Sequence, residues 1–107
     1  MKPNQTKGNL DVLLLGVLSA GPGHGYEVIT ALKEKSGGEF DLPEGTVYPS
    51  LHRLEDEGLL ASSWSAMQGR RRRVYQLTTA GEASLAAGRQ SWERFSMGMN
   101  LILGAQA

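Results

Sequence analysis

Apolar positions recur along the first half of the chain with a helical period. Leu10, Leu13, Leu14, Val17 and Leu18 stand at i, i+3, i+4, i+7 and i+8, one face of a helix, with Asn9 placed to cap its start. Val12 and Leu15 lie off that stripe, so burial on more than one side is expected. Gly21-Pro22-Gly23 ends this helix. A second is predicted from His24 or Gly25 to Lys35, with Tyr26, Ile29 and Leu32 on one side, Val28 widening it, and Gly37-Gly38 closing it. Within 41–58, Val47, Leu51 and Leu54 form a third buried stripe that Gly58 terminates. Pro49 is the local conflict there, because inside a helix its ring collides with the carbonyl of Gly45. A regular helix starting near Thr46 removes the conflict by placing Pro49 in the first turn. An earlier start requires a kink.

After Gly58 the period changes from helical to alternating. Leu60, Ser62 and Trp64 alternate with Ala61, Ser63 and Ser65, and Arg71, Arg73, Tyr75 and Leu77 alternate with Arg70, Arg72, Val74 and Gln76. Met67-Gln68-Gly69 offers the turn, so the pair reads as a hairpin with arginines near its tip. Thr79-Ala80-Gly81-Glu82 then has the form of a capping box. Leu85, Trp92 and Met99 follow at heptad spacing, with Phe95 and Ile102 beside them and Gly88 as the weak member of the seam. A last helix of about 25 residues would be roughly 37 Å long. So small a domain cannot cover it, and the seam calls for a second chain.

Three helices, a two-stranded hairpin and a long helix define a mainly α fold with a small β-hairpin. This is the order of a winged helix-turn-helix with an appended dimerisation helix. Residues 1–8 read as a flexible arm, 9–78 as the DNA-binding domain and 79–107 as the dimerisation helix. The third helix would enter the major groove, and the hairpin would be the wing.

Composition narrows the alternatives. The 107 residues suffice for one domain and one modest core. With no cysteine there is no disulfide framework, thiolate metal site or cysteine nucleophile. The two histidines, His24 and His52, fall on separate helices, and no Ser/His/Asp arrangement is visible, so no enzyme, metal or cofactor is implied. The longest apolar run, Val12 to Leu18, falls far short of the ~20 residues that span a bilayer. The polar start is no signal peptide, which makes the cytoplasm the expected compartment. The formal net charge of zero hides an uneven distribution. Residues 1–59 carry five Lys/Arg against nine Asp/Glu, whereas residues 60–107 carry six Arg against two Glu. Arg70 to Arg73 are consecutive, and local charge is what a phosphate backbone feels.

The chain contains the strings His24-Gly25-Tyr26-Glu27, Gly45-Thr46-Val47-Tyr48-Pro49-Ser50-Leu51-His52-Arg53-Leu54-Glu55, Glu57-Gly58-Leu59-Leu60 and Gly69-Arg70-Arg71-Arg72-Arg73-Val74-Tyr75-Gln76-Leu77-Thr78, followed by Gly81. In these strings it resembles the PadR family of bacterial transcriptional regulators, in its short form with a single C-terminal helix. The second string is the specific one. Pro43 departs from the polar cap that many members carry before the recognition helix. The resemblance implies repression, often of a neighbouring transporter or metabolic gene, released by a small effector. It also implies that Trp92 faces a pore between subunits where flat aromatic compounds stack.

The stripe Val47–Leu51–Leu54 faces inward and leaves Thr46, Tyr48, Pro49, Ser50, His52 and Arg53 as candidate DNA contacts. Each has a plainer reading beside it. Tyr48 can bridge helices as a core aromatic, His52 can be simply solvated, and Arg53 can pair with Glu57 at i+4. Tyr26 opens the second helix, whose first amides suit a phosphate. Arg70 and Arg71 are assigned to DNA, while Arg72 and Arg73 are expected nearer the core, against Glu55-Asp56-Glu57. Leu10, Leu14, Leu85, Trp92, Phe95, Met99 and Ile102 are the expected dimer surface. Trp92, Phe95 and Met99 are also candidates for effector contact, with Met97 as further adaptable lining. The expected partners are a second copy of the chain, a pseudo-palindromic duplex with half-sites about 34 Å apart, and a planar aromatic molecule. The rival reading is a small-molecule-binding or protein-interaction module that keeps the fold without operator binding.

Overall fold

A computed structural model describes residues 4–67 and 69–104. Its order is α1 (Asn4–Leu18), β1 (Gly23–His24), α2 (Gly25–Lys35), α3 (Glu44–Asp56), β2 (Leu60–Met67), β3 (Arg70–Leu77) and α4 (Thr79–Leu103). The fold is mainly helical with one small antiparallel sheet, of strand order β1-β3-β2. Residues 1–3 of the expected arm, Gln68 of the expected turn and residues 105–107 lie outside the described residues.

The helices follow the apolar stripes, with corrections at their ends. α1 begins at Asn4, so Asn9 lies inside the helix rather than capping it, and residues 4–8, expected in the arm, are helical. Nothing in Asn4-Gln5-Thr6-Lys7 breaks a helix, and Gly8 costs only about 1 kcal/mol. Leu10, Leu14, Leu15 and Leu18 point into the core, whereas Val12, Leu13 and Val17 are only partly buried. α1 therefore uses two faces, and Leu15 belongs to the inner one. On α2 the buried side chains are Val28 and Leu32, while Tyr26 is 60% exposed and does not join the apolar side.

α3 starts at Glu44, with Pro43 as its N-cap and no side-chain cap. Pro49 therefore falls inside the helix, not in a first turn starting near Thr46. The Ser50 hydroxyl donates to the Thr46 carbonyl at 3.0 Å in the same turn. Val47, Leu51 and Leu54 are completely buried, each worth about 1.5–3 kcal/mol. Turning α3 by one residue would expose this stripe, so packing sets which face stays open.

β2 and β3 pair from Leu60↔Leu77 to Met67↔Arg70, leaving a two-residue connection in which Gly69 takes φ +77°. A two-residue hairpin turn favours positive φ, which glycine adopts without strain. β1 was not foreseen, because two residues are too few to show a period. It pairs Gly23 with Tyr75 and His24 with Val74, tying the α1–α2 turn to the wing.

α4 is capped one residue earlier than the expected box. The Thr78 hydroxyl accepts from Gly81 N–H at 3.0 Å and donates to the Gly58 carbonyl at 2.7 Å. Gly81 and Leu85 are buried in the domain, and at Gly88 there is room only for Val12 Cγ2, 2.6 Å from where a Cβ would stand. The weak member of the seam is thus the point where α1 comes closest to α4. Beyond Gly88 the helix runs clear of the core. The Cα radius of gyration is 15.2 Å, against about 13 Å for a compact chain of this length.

Candidate nucleic-acid interface

α2, its connection and α3 form the helix-turn-helix, and one aromatic ring sets how they meet. A Cβ at Gly25 would stand 2.6 Å from Tyr48 Cζ and 2.8 Å from its hydroxyl oxygen, so the ring lies against bare backbone at the start of α2. Tyr48 is half-buried and bridges the two helices, the plainer of its two readings. Thr46, Pro49 and His52 are exposed on α3, and Ser50 is half-exposed. The His52 ring lies 6.5 Å from that of the buried Tyr75, at the foot of the wing. Burial pushes the Tyr75 phenol above its ordinary pKa, and Glu55 adds to the shift while Arg73 opposes it.

Arg53 is paired within the protein. Its guanidinium makes paired hydrogen bonds to Asp11 of α1 and a further one of 3.2 Å to Glu57. The Asp11 hydrogen bonds, with the one to Glu57 after them, hold its pKa above the ordinary arginine value, against a desolvation that works the other way. Arg53 thereby ties α3 to α1. The Glu57 partner was visible at i+4. Asp11 was not, since it is 42 residues away.

The start of α2 also differs from expectation. His24 N–H donates to Glu27 Oε1 at 2.9 Å, and Glu27 N–H donates to His24 Nδ1 at 3.3 Å. This reciprocal cap occupies two amides that the sequence offered to a phosphate. Tyr26 stands exposed beside it.

On the wing, alternation divides the four arginines. Arg73 Nε donates to Ser62 Oγ at 2.7 Å, and its guanidinium lies 3.6 Å from Glu55 Oε2. Ser62 Oγ in turn donates to Glu55. Arg72 is on the other face, its Nη1 3.4 Å from His24 Nε2, so only Arg73 meets the acidic run at the end of α3. Arg70 and Arg71 are exposed, and among the described residues neither has a carboxylate partner. Trp64, which the alternation places on the first wing strand without a functional role, is 56% exposed on β2 beneath two guanidinium groups.

The expected dimer surface splits in two. Leu10, Leu14 and Leu85 are 7%, 0% and 6% exposed and belong to the monomer's own core, because the α1 stripe closes on α2 and α3. Trp92, Phe95, Met99 and Ile102 are exposed, and so are Met97, Leu101 and Leu103. A groove of about 860 Å³ runs between α1, α4 and the α2–α3 connection, lined among others by Val12, Leu13, Phe40, Leu42, Trp92 and Phe95. Neither Met97 nor Met99 is among the residues that line it.

No helix among the described residues is long and apolar enough to cross a membrane. Three packed helices, a helix-turn-helix and an antiparallel wing make this a winged helix-turn-helix protein with an added C-terminal helix. The family model described as "Transcriptional regulator PadR-like family" matches residues 14–87, and the chain belongs to that family. Its members are transcriptional regulators, not enzymes. Among relatives, a transcriptional regulator of Mycobacterium tuberculosis, Rv3488, is 41% identical over 75 residues, 70% of this chain and 67% of that one. The negative transcriptional regulator PadR of Bacillus subtilis is 31% identical over 78 residues, covering 71% of this chain and 42% of its own. Among solved structures, a PadR-like regulator from Bacillus cereus superposes with a TM-score of 0.82 at 30% identity, over 96% of this chain and 99% of that one. A PadR family regulator from Clostridium difficile gives 0.79 at 34% identity, over 88% and 97%.

Proposed function

We propose that the protein is a homodimeric repressor that binds a pseudo-palindromic duplex and leaves it when a small planar effector binds. The observation that carries the DNA reading is the pairing of an open α3 face with two arginines on the adjoining wing that have no carboxylate partner among the described residues. Thr46, Pro49, Ser50 and His52 face the major groove, Tyr48 and Tyr26 flank the backbone, and Arg70 and Arg71 neutralise phosphates. Arg53 has no part in base reading and instead holds α3 in place. Repression is supported by likeness to the negative regulator of Bacillus subtilis.

The dimer reading rests on the far half of α4. Leu101, Ile102 and Leu103 are 79%, 85% and 68% exposed. An apolar helix end of this kind marks an interaction surface. A second copy of α4 covers it and brings two α3 helices to one face of the duplex. The groove beneath Trp92 and Phe95 falls in the size range of small-molecule sites, about 300–1,000 Å³, and supports an aromatic effector.

Binding to duplexes that include the gene's own upstream region, measured over several salt concentrations, tests the reading. Replacing Arg70 and Arg71 by Ala should lower the salt slope by about 1.8, at about 0.9 per phosphate. Ile102→Glu should shift the protein toward monomer in sedimentation while leaving the wing and α3 folded. Equal slopes for wild type and the double variant would refute the wing assignment. Affinity no tighter than for random DNA would replace the repressor by a binding module on the same scaffold.

A further inference from the structure

Trp64 occupies an odd place for the bulkiest side chain of the wing. It sits on β2 with more than half of its surface exposed, on a hairpin whose other exposed side chains, among the described residues, are those of Ser63, Ala66, Arg70, Arg71 and Gln76. The Arg71 guanidinium lies 4.7 Å from its ring centroid and the Arg73 guanidinium 5.2 Å. Register explains both contacts. Trp64 is directly opposite Arg73, and Arg71 is its diagonal neighbour on the same face, within reach of an aromatic side chain. Arg73 is held besides by Ser62 and lies beside Glu55 of α3. A continuous path of contacts thus runs from the end of α3 through Glu55, Ser62 and Arg73 to the indole, and from the indole to Arg71.

The two ends of this path differ in charge. Arg73 is beside a carboxylate, whereas Arg71 has none among the described residues. Stacking uses the flat face of a guanidinium, and a phosphate is bound by its N–H edge. The two contacts are therefore compatible. A flexible arginine loses rotamer freedom when it takes a phosphate, and that loss weakens binding. An arginine already resting on an indole has lost part of it beforehand.

We propose that Trp64 is a positioning residue for nucleic-acid binding, holding the Arg71 guanidinium by its face, edge outward, at a set distance from α3. The inference rests on the DNA-binding reading and adds to it a residue that touches no nucleotide. Trp64→Ala and Trp64→Phe are compared in the full-length protein with and without Arg71→Ala. The readouts are duplex affinity, its salt slope, and the Arg71 side-chain Nε–H signal in DNA-free protein. Trp64→Ala should weaken binding about two- to tenfold when Arg71 is present. It should change affinity less than about twofold when Arg71 is absent, the effects of coupled residues being non-additive. Trp64→Phe should keep most of the affinity. The salt slope should stay unchanged in Trp64→Ala, since the same phosphates are neutralised; a collapsed wing would lower it. The Arg71 signal should carry a ring-current shift that disappears in Trp64→Ala. An equal loss in both backgrounds, no loss at all, or an unshifted Arg71 signal overturns the proposal. A wild type that binds no duplex overturns the DNA reading and the positioning role with it, while the ring-current measurement still reports separately whether the indole holds the guanidinium.

Discussion

Gly25→Ala is a small change that should be disproportionately harmful. Its φ is not in the left-handed region, so the backbone itself does not require glycine. Space does. The new methyl would stand 2.6 Å from Tyr48 Cζ and 2.8 Å from the hydroxyl oxygen. Relaxed carbon contacts lie at about 3.5–4.0 Å, so the ring must retreat by about 1 Å. Tyr48 is wedged between α2 and α3, and its stiff ring transmits that displacement to the recognition helix. Overpacking of this kind costs about 1–3 kcal/mol. Against it stands the gain of up to about 1 kcal/mol for replacing glycine by alanine in a helix. The net loss should be about 1–2 kcal/mol, and each kcal/mol lowers Tm by roughly 4–8 °C in a domain of this size. Melts of wild type, Gly25→Ala, Tyr48→Ala and the double variant, at one protein concentration, form the test. With the ring removed, the same methyl should be neutral or stabilising. An equal cost in both backgrounds, or a stabilised Gly25→Ala single variant, would refute the steric account.

Two further outcomes follow from particular contacts. A double-mutant cycle on Asp11→Asn and Arg53→Gln should give a coupling of about 1 kcal/mol that shrinks as salt is raised. Zero coupling would mean that the pair does not tie α1 to α3. Tyr75 has its pKa raised in the folded state, so its contribution is intact below the ordinary tyrosine value near 10 and is lost as pH climbs through the folded value. Wild-type stability should therefore fall more steeply than that of Tyr75→Phe above about pH 10, and parallel curves would remove the link.

The positions of the helices and the hairpin were legible in the chain itself. Stripes such as Val47–Leu51–Leu54 and the alternation after Gly58 are local, and a period of 3.6 or 2 survives whatever packs against it. Hence the order of elements, the winged helix-turn-helix and the four arginines near its turn could be read in advance. Other features depend on residues far apart in sequence. Leu10, Leu14 and Leu85 have the spacing of an interface, and only packing decides that they face their own core. Arg53 has the chemistry of a base reader, and only the approach of α1 gives its guanidinium to Asp11. Pro49 has a safe place in a helix that starts near Thr46, but the actual start at Glu44 puts it inside. Trp64 is unremarkable in a strand until register sets it against Arg73 and Arg71. Local periodicity determined which segments are helix or strand. Tertiary structure alone decided which of their polar side chains remain free, because charge neutralisation and close packing join groups that the chain keeps apart.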